Sequence, residues 1–530
     1  MVGLSREARG RTFLVAGVAG IAQVFAAVRC SDSMNRAAHD SELPDKATMS
    51  AFPFRKAHFI GLAGVGMSAT AILLRDSGVA VTGSDEAIYP PISQVLAREE
   101  FACRAPYAAQ NIPEDGDLIV IGKNARLVPS ENDEVAEAFA RAAKPGGPKI
   151  LSFAEVLALL SCGRENVVVA GSFGKTTSVS MLAHCLVSAG RDPSWMIGAV
   201  PLSPARASNA GAGRLFLLEG DEYPSSNTDN QSKFLHYRPA HVLLAPLAHD
   251  HVNVFPTIES YLKPFHQLFD LVPRDGLIVA ATSGDLSERF LAEAKRSVVT
   301  FGLTKGDWRA ENIEYGAVSQ FTLTERGREV ARVKTSQLGA HNIENMVGIG
   351  AFVLTRGLAS VEQYMGAMAS FRGVMRRLDR KSDQTSVQMF EGFGSSYDKA
   401  KSAIAAMKTH FASRRLLVVF EPHTFSWRNR NKLEWYDDVF SGCDRVFIFE
   451  PATQGASAHE QASLNEIMER VRAAGVDATP IHSCEEGLAR IGAELRKNDA
   501  VLFLTSGDIG GLIEQLPRLA ERQFPLLDSA

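Results

Sequence analysis

The sequence predicts an α/β protein of three domains: a Rossmann-like N-terminal domain, a doubly wound phosphate-loop domain in the centre and a Rossmann-like C-terminal domain. Three observations predict it. At 530 residues the chain is too long for one ordinary core. Short β-branched runs alternate with segments of helical period, the pattern of parallel sheets covered by helices. Two glycine turns, Gly61–Gly66 and Gly171–Gly174, each follow such a run and open a helix. The divisions expected are a leader at 1–55, then domains at 56–150, 151–336 and 337–530.

Composition narrows the class. Apolar content of 45% and charged content of 22% are those of a globular protein. The formal net charge of −4 is dispersed in both signs, so neither a nucleic acid nor a membrane surface is an expected partner. Cys30, Cys103, Cys162, Cys185, Cys443 and Cys484 form no CxxC pair and no zinc spacing, and they read as reduced, mostly buried thiols of a cytoplasmic enzyme.

In the first domain, Ala57–Gly61 reads as a strand, and Gly64-Val-Gly66 opens a helix that runs through Ser77. A second strand, Val79–Val81, leads to Gly83-Ser84-Asp85. An acidic residue about 20 positions after a glycine turn is the layout of a Rossmann-type nucleotide site. Gly64, Gly66 and Asp85 are its candidates, and a purely structural turn is the alternative reading. A strand at Asp117–Gly122 and a helix near Asn132–Ala143 continue the alternation.

Leu151–Leu160 reads as a connecting helix into the central domain. There Val167–Val169 is a buried strand, Gly171–Gly174 a tight turn, and Lys175-Thr176-Thr177 begins a helix ending near Gly190. This build cradles phosphate: backbone N–H groups and the helix N-terminus hold the anion, the lysine reaches the terminal phosphates, and a hydroxyl meets Mg²⁺. The usual spacing asks for a further glycine where this chain has Val169. A strand at Leu215–Glu219 ends in Glu219-Gly-Asp-Glu-Tyr223, and a carboxylate at such a strand end can hold Mg²⁺. The next strand, Ala240–Leu244, is followed by Ala248-His-Asp-His251, which suggests a second metal or phosphate contact. A helix at Ile258–Leu271 and a strand at Gly276–Ala280 follow.

The third domain is expected from near Gly339, with strands at Leu416–Phe420, Arg445–Phe449 and Ala500–Leu504. Its helices are expected at Lys399–Thr409, Leu464–Ala474 and Glu485–Leu495. Asn342, in His341-Asn-Ile-Glu-Asn345, can read an adenine edge or cap the helix that follows. Arg377 can clamp a phosphate, the alternative for Arg376-Arg377 being surface charge.

Over residues 57–525 these motifs resemble the Mur ligases, ATP-dependent amide-forming enzymes of peptidoglycan synthesis. The resemblance implies domains for UDP-N-acetylmuramate, for ATP and for the incoming amino acid or peptide amine. It implies that the muramic carboxylate attacks the γ-phosphate and that the amine then attacks the resulting acyl phosphate. Carried onto this sequence, Gly64, Gly66 and Asp85 would lie at the UDP site, and Gly171, Gly174, Lys175, Thr176 and Thr177 at the ATP phosphates. Thr176, Glu219 and His251 would be metal ligands, with Lys175, Glu219 and His251 at the chemistry. Asn342 would contact adenine, Arg377 the γ-phosphate, and His423 of Glu421-Pro-His-Thr the acceptor.

The runs Thr82–Pro91, Asp221-Glu-Tyr, Ser232–Pro239 and Phe447–Ala452 favour family members that take a peptide, L-Ala-γ-D-Glu-meso-diaminopimelate; L-alanine is the alternative acceptor. Three departures stand out. The family loop G-T-H-G-K-T-T has Ser172-Phe173 in place of Thr-His. Ala245-Pro246 stands where asparagine is usual. The motif D-[DY]-[FY]-[AG]-H-x-P becomes Glu391-Gly-Phe-Gly-Ser-Ser-Tyr397. These changes motivate two rival readings, a ligase for a divergent substrate pair and a non-catalytic ATP-binding regulator. The N-terminus conflicts with an ATP-using enzyme, because Arg6, Arg9 and Arg11 before the apolar run Phe13–Val28 look like a secretory signal. The run is short and alanine-rich for a membrane span. The leader is therefore expected to be disordered or a start assigned too early, with translation from Met49 or Met34.

Overall fold

Val167, Val168, Val169 and Ala170 are all fully buried, with alternate side chains in two different cores. A strand covered on both faces does this, and each of the three valines contributes about 1.5–3 kcal/mol. The computed structural model describes residues 52–89, 92–251, 254–451, 460–507 and 509–526. Residues 1–51, which hold the apolar run and most of the expected leader, lie outside the described residues.

The first sheet is parallel in the order β3-β2-β1-β4-β5, from β1 (Lys56–Ile60), β2 (Ala80–Ser84), β3 (Cys103–Arg104), β4 (Leu118–Ile121) and β5 (Lys149–Leu151). The Val65–Asp76 helix follows β1, as the glycine turn requires.

The central sheet has the order β15-β14-β13-β12-β11-β10-β6-β9-β7-β8. Its parallel core comprises β6 (Glu165–Ala170), β7 (Ser194–Met196), β9 (Leu215–Glu219), β10 (His241–Leu244), β11 (Ile278–Ala281) and β12 (Val299–Gly302). β8 (Ser208–Asn209) pairs antiparallel with β7. An extension of β13 (Trp308–Glu314), β14 (Ser319–Glu325) and β15 (Arg328–Thr335) was not expected. Its last two strands are joined through Arg326 (φ 49) and Gly327 (φ 81), the pair of positive φ angles that a tight hairpin demands.

The third sheet runs β16-β17-β21-β18-β19-β20. Its strands are β16 (Arg377–Arg380), β17 (Gln388–Phe393), β18 (Leu416–Phe420), β19 (Arg445–Phe449), β20 (Ala478–Ile481) and β21 (Ala500–Thr505). All are parallel except β16. The architecture agrees with the α/β class expected.

One boundary moves. The helices Ala340–Thr355 and Val361–Ser370, assigned to the third domain by the division at 337, pack into the central core together with Phe371. From Met346 to Leu354 the first of them is apolar all round, with Met346, Val347, Ile349, Ala351 and Phe352 fully buried, so this stretch cannot cover a surface. Gly348 lets it close on β12, since a Cβ there would sit 2.7 Å from the Phe301 ring. The chain changes cores after Phe371.

Cys103, Cys185, Cys443 and Cys484 are free thiols, and Cys162 is disulfide-bonded, a departure from the reduced set expected. Among the described residues no helix is long and apolar enough to cross a membrane.

A buried polar cluster holds the first domain together. His58 Nε2 lies 2.7 Å from Glu134 Oε1, and the Ser84 hydroxyl donates to the same oxygen at 2.6 Å. The Ala108 amide at 2.9 Å and Asn111 at 3.1 Å donate to Oε2. Burial by itself would raise the Glu134 carboxyl, but His58 and these donors hold it below its ordinary value. Its stabilisation is therefore present above the ordinary carboxylate range and is lost as pH falls through the lowered value. Glu134→Ala, which orphans His58 and the three donors Ser84, Ala108 and Asn111, is expected to cost about 3 kcal/mol or more, read as a lower urea midpoint.

Candidate active site

β6 delivers the chain to Gly171 (φ 128), and Gly174 (φ 82) caps the Lys175–Ser188 helix. Both glycines are required by shape as well as by φ. A Cβ at Gly171 would lie 2.6 Å from the Ala245 carbonyl oxygen, and one at Gly174 would lie 2.7 Å from Asn345 Oδ1. Ser172 fastens the turn to the end of β10: its hydroxyl donates to the Ala248 carbonyl at 2.8 Å and lies 2.6 Å from the Tyr261 hydroxyl. The serine thus keeps the hydroxyl that threonine would supply. Phe173, where the family has histidine, is 57% exposed and offers no polar contact.

The Lys175 ammonium donates to the Gly171 carbonyl at 2.5 Å and to Glu222 Oε2 at 2.9 Å. Glu222 is fully buried, and its other oxygen lies 3.3 Å from His251 Nε2. The His251 ring also meets the Tyr223 hydroxyl at 3.0 Å, and its backbone is left-handed at φ 57. A non-glycine residue there carries strain that the surrounding contacts must hold. Glu222 beside it, with Asp250, holds the His251 imidazole above its ordinary value against burial and Lys175.

Thr176 donates to Glu219 Oε1 at 2.7 Å, and the Gly198 amide donates to Glu219 Oε2 at 2.7 Å. Arg377, at the start of β16, reaches across from the third sheet and donates to Thr176 Oγ1 at 3.2 Å. A hydroxyl and a carboxylate side by side at a phosphate loop suit Mg²⁺, which takes few protein ligands and keeps waters and phosphate oxygens. Among the described residues no three His, Cys, Asp or Glu side chains form a metal cluster. Thr176 and Glu219 are thus brought together, whereas His251 bonds Glu222 and Tyr223.

Thr177 is buried in the same first turn. Asn342 is 3% exposed and donates to the Leu338 carbonyl at 2.8 Å, so its amide is already engaged with the segment that leads into its helix. Asn345, which the sequence reading passed over, is the asparagine that abuts the phosphate loop. Glu222 was also passed over, although it lay inside the acidic run after β9. The two peptide-leaning stretches meet through Lys233, whose ammonium donates to Asp221 at 2.5 Å.

In the first domain Gly64 caps the Val65–Asp76 helix, and a Cβ on Gly66 would meet the Phe153 ring at 3.6 Å. Asp85 accepts from the Ala63 amide of the same turn at 2.8 Å and from the Tyr107 hydroxyl at 3.1 Å. Gly64, Gly66 and Asp85 are therefore gathered at one end of β1 and β2.

In the third domain His423 Nδ1 lies 3.3 Å from Glu421 Oε1 at the end of β18. Thr505, at the end of β21, donates to Glu421. Glu391, the first residue of the altered motif, is 2% exposed and held by Lys381 at 2.8 Å and Arg376 at 3.3 Å. Its carboxylate is part of the core, and the surface of the motif begins at Phe393.

Two family descriptions match the chain: "Mur ligase family, catalytic domain" over residues 56–161 and "Mur ligase middle domain" over residues 169–353. The chain is 30% identical to a UDP-N-acetylmuramate–L-alanine ligase of Arthrobacter sp. (strain FB24), covering 74% of this chain and 81% of that one. It is 25% identical to a UDP-N-acetylmuramate–L-alanyl-γ-D-glutamyl-meso-2,6-diaminoheptandioate ligase of Haemophilus influenzae, covering 87% and 98%. A crystal structure of a UDP-N-acetylmuramate–alanine ligase from Thermotoga maritima shares the fold, with a TM-score of 0.69 at 21% identity, covering 88% and 99%.

The His251 contact gives a test on the metal-free protein. Because its folded value is raised, the stabilisation from the His251–Glu222 pair is fully present below the ordinary histidine value and lost as pH rises through the raised one. An NMR titration is expected to place His251 above an ordinary histidine, and Glu222→Gln to bring it down. An unmoved titration would remove the pair.

Proposed function

The chain belongs to the Mur ligase family, and on that premise we propose that it joins the carboxyl of UDP-N-acetylmuramate to an amine, L-alanine ahead of a peptide. It is an ATP-dependent ligase of peptidoglycan synthesis. The observation that carries the finer reading is the meeting of Lys175, Thr176 and Glu219 with Arg377 of the third sheet. Nucleotide phosphates at the loop would take Lys175 Nζ and the loop amides. The donor carboxylate would attack the γ-phosphorus, giving an acyl phosphate and ADP. The acceptor amine would then attack the acyl carbon and release phosphate. Lys175 and Arg377 would neutralise the charge that the transferred group carries. Thr176 and Glu219 would hold Mg²⁺, which would supply further neutralisation. Gly64, Gly66 and Asp85 would serve the UDP group, Asn342 would stand near the base, and His423 would stand near the acceptor.

L-alanine leads because the Arthrobacter relative, an L-alanine ligase, is the more identical of the two compared. The expectation of a peptide acceptor becomes the second reading, kept by Asp221-Glu-Tyr and Ser232–Pro239, which Lys233 ties together. Phosphate release from MgATP and UDP-N-acetylmuramate, with L-alanine in one assay and L-Ala-γ-D-Glu-meso-diaminopimelate in the other, separates them. Release that depends on L-alanine is expected. Release with the peptide alone would select the second reading, and ATP binding without release would favour a divergent pair or a regulator. Lys175→Ala is expected to lower turnover by about 100-fold or more, and undiminished turnover would remove the phosphate-loop assignment.

A further inference from the structure

β4 hands the chain to Gly122, whose amide donates to the Ile60 carbonyl at 2.9 Å at the end of β1. A Cβ on Gly61, the first glycine of the first-domain turn, would lie 3.7 Å from the Gly122 Cα. Lys123 starts from this point and crosses to the central domain. Its ammonium donates to the Pro224 carbonyl at 3.4 Å and stands 5.9 Å from the centre of the Tyr223 ring. Asn227 fastens the same two loops, donating to the Asn124 carbonyl at 2.8 Å and to the Leu127 carbonyl at 3.1 Å.

A second ammonium, that of Lys233, stands 5.9 Å from the centre of the same tyrosine ring. It also stands 5.2 Å from the centre of the Phe153 ring, which a Cβ on Gly66 would meet. Two cations thus share one aromatic ring beside the glycine turn, and they are not equally satisfied. Lys233 is buried and has the Asp221 carboxylate. Lys123 is exposed, and among the described residues no carboxylate pairs with it. Asp229, the other aspartate of the loop after β9, lies 2.9 Å from His236. A ring face attracts an ammonium but cancels none of its charge. The Tyr223 hydroxyl lies 3.0 Å from His251, whose partner Glu222 also holds Lys175. An anion on Lys123 would therefore sit one tyrosine ring away from the contacts that back the phosphate loop.

We propose that Lys123 binds the carboxylate of the sugar-nucleotide donor at the boundary of the first and central domains. The inference rests on the donor reading above. With the UDP group served by Gly64, Gly66 and Asp85, the acid that attacks the γ-phosphorus has to extend from the turn towards Lys175. Lys123 is the cation on that path without a carboxylate of its own. Its ammonium would take one carboxylate oxygen, keep the acid ionised, and leave the second oxygen to attack. Holding the acid beside the loop would supply part of the orientation that the first step requires. The contact would also select the donor, because a sugar nucleotide lacking the acid offers Lys123 no carboxylate.

The test compares UDP-N-acetylmuramate with UDP-N-acetylglucosamine, the same sugar nucleotide without the lactyl acid. Binding of each to the full chain is measured with Mg²⁺ and the non-hydrolysable β,γ-imido analogue of ATP present. The wild-type chain is expected to prefer UDP-N-acetylmuramate. Lys123→Ala and Lys123→Gln are expected to lose about 10-fold in affinity for it, as for one charge-assisted hydrogen bond. Their affinity for UDP-N-acetylglucosamine is expected to stay within about 2-fold of wild type, and Lys123→Arg to retain most of the preference. Because Lys123 is exposed, the melting midpoint is expected to stay that of the wild type. An equal loss of both ligands would assign Lys123 to the diphosphate or to domain packing and overturn the proposal, as would unchanged affinities for both. A wild-type chain that binds neither sugar nucleotide would refute the donor reading itself, and the inference with it.

Discussion

An ammonium drawn into a glycine loop needs a counter-charge even before an anion arrives, and Glu222 supplies it. The carboxylate is fully buried, and its two oxygens serve Lys175 and His251. Taking these charges out of water is costly, so the pair persists only because each oxygen has a partner. The arrangement ties three strand ends together: the loop after β6, the acidic run after β9 and the histidine run after β10. It also keeps the loop lysine extended across the site rather than folded out into solvent. A phosphate that takes Lys175 leaves Glu222 to His251 alone, so a nucleotide at the loop would be felt at the β10 end without any backbone rearrangement.

The same constraint organises the domains. The central core continues through Phe371, and Arg376 and Arg377 follow at once. Positive φ angles at Gly373 (94), Arg376 (62) and Leu378 (56) mark a sharply bent connection there. Arg377 reaches Thr176 from this bend, so any movement of the third sheet against the central one changes the distance between guanidinium and hydroxyl. In the reaction proposed above, a site shared in this way would exclude water from the acyl phosphate only when the two domains approach.

Most of the fold was legible from periodicity. The buried runs Val167–Val169, Leu416–Phe420 and Ala500–Leu504 could be nothing but strands, and glycine turns marked where helices begin. The hairpin of β14 and β15 was not read, although the polar–apolar alternation of Arg328–Thr335 and the Arg326-Gly327 turn were usable signals. The boundary at 337 failed because the His341–Asn345 motif drew attention to the start of a helix. The completely apolar stretch behind it, which demands burial against a sheet, was the better guide. At the site, Lys175, Thr176 and Glu219 could be found from spacing alone. The pairing of Glu222 with Lys175 could not, since nothing in Asp221-Glu222 says which carboxylate turns inward; Lys233 takes one and Lys175 the other. Likewise Asn342 and Asn345 are alike in sequence, and only packing against Gly174 separates them.

The most direct test of the account is a crystal structure of the chain with Mg²⁺ and the β,γ-imido analogue of ATP. The account expects the phosphates against the amides of residues 171–176, Lys175 Nζ moved from Glu222 to a phosphate oxygen, and Thr176 with Glu219 beside the metal. A nucleotide bound elsewhere, or Lys175 still on Glu222 with phosphates present, would contradict it.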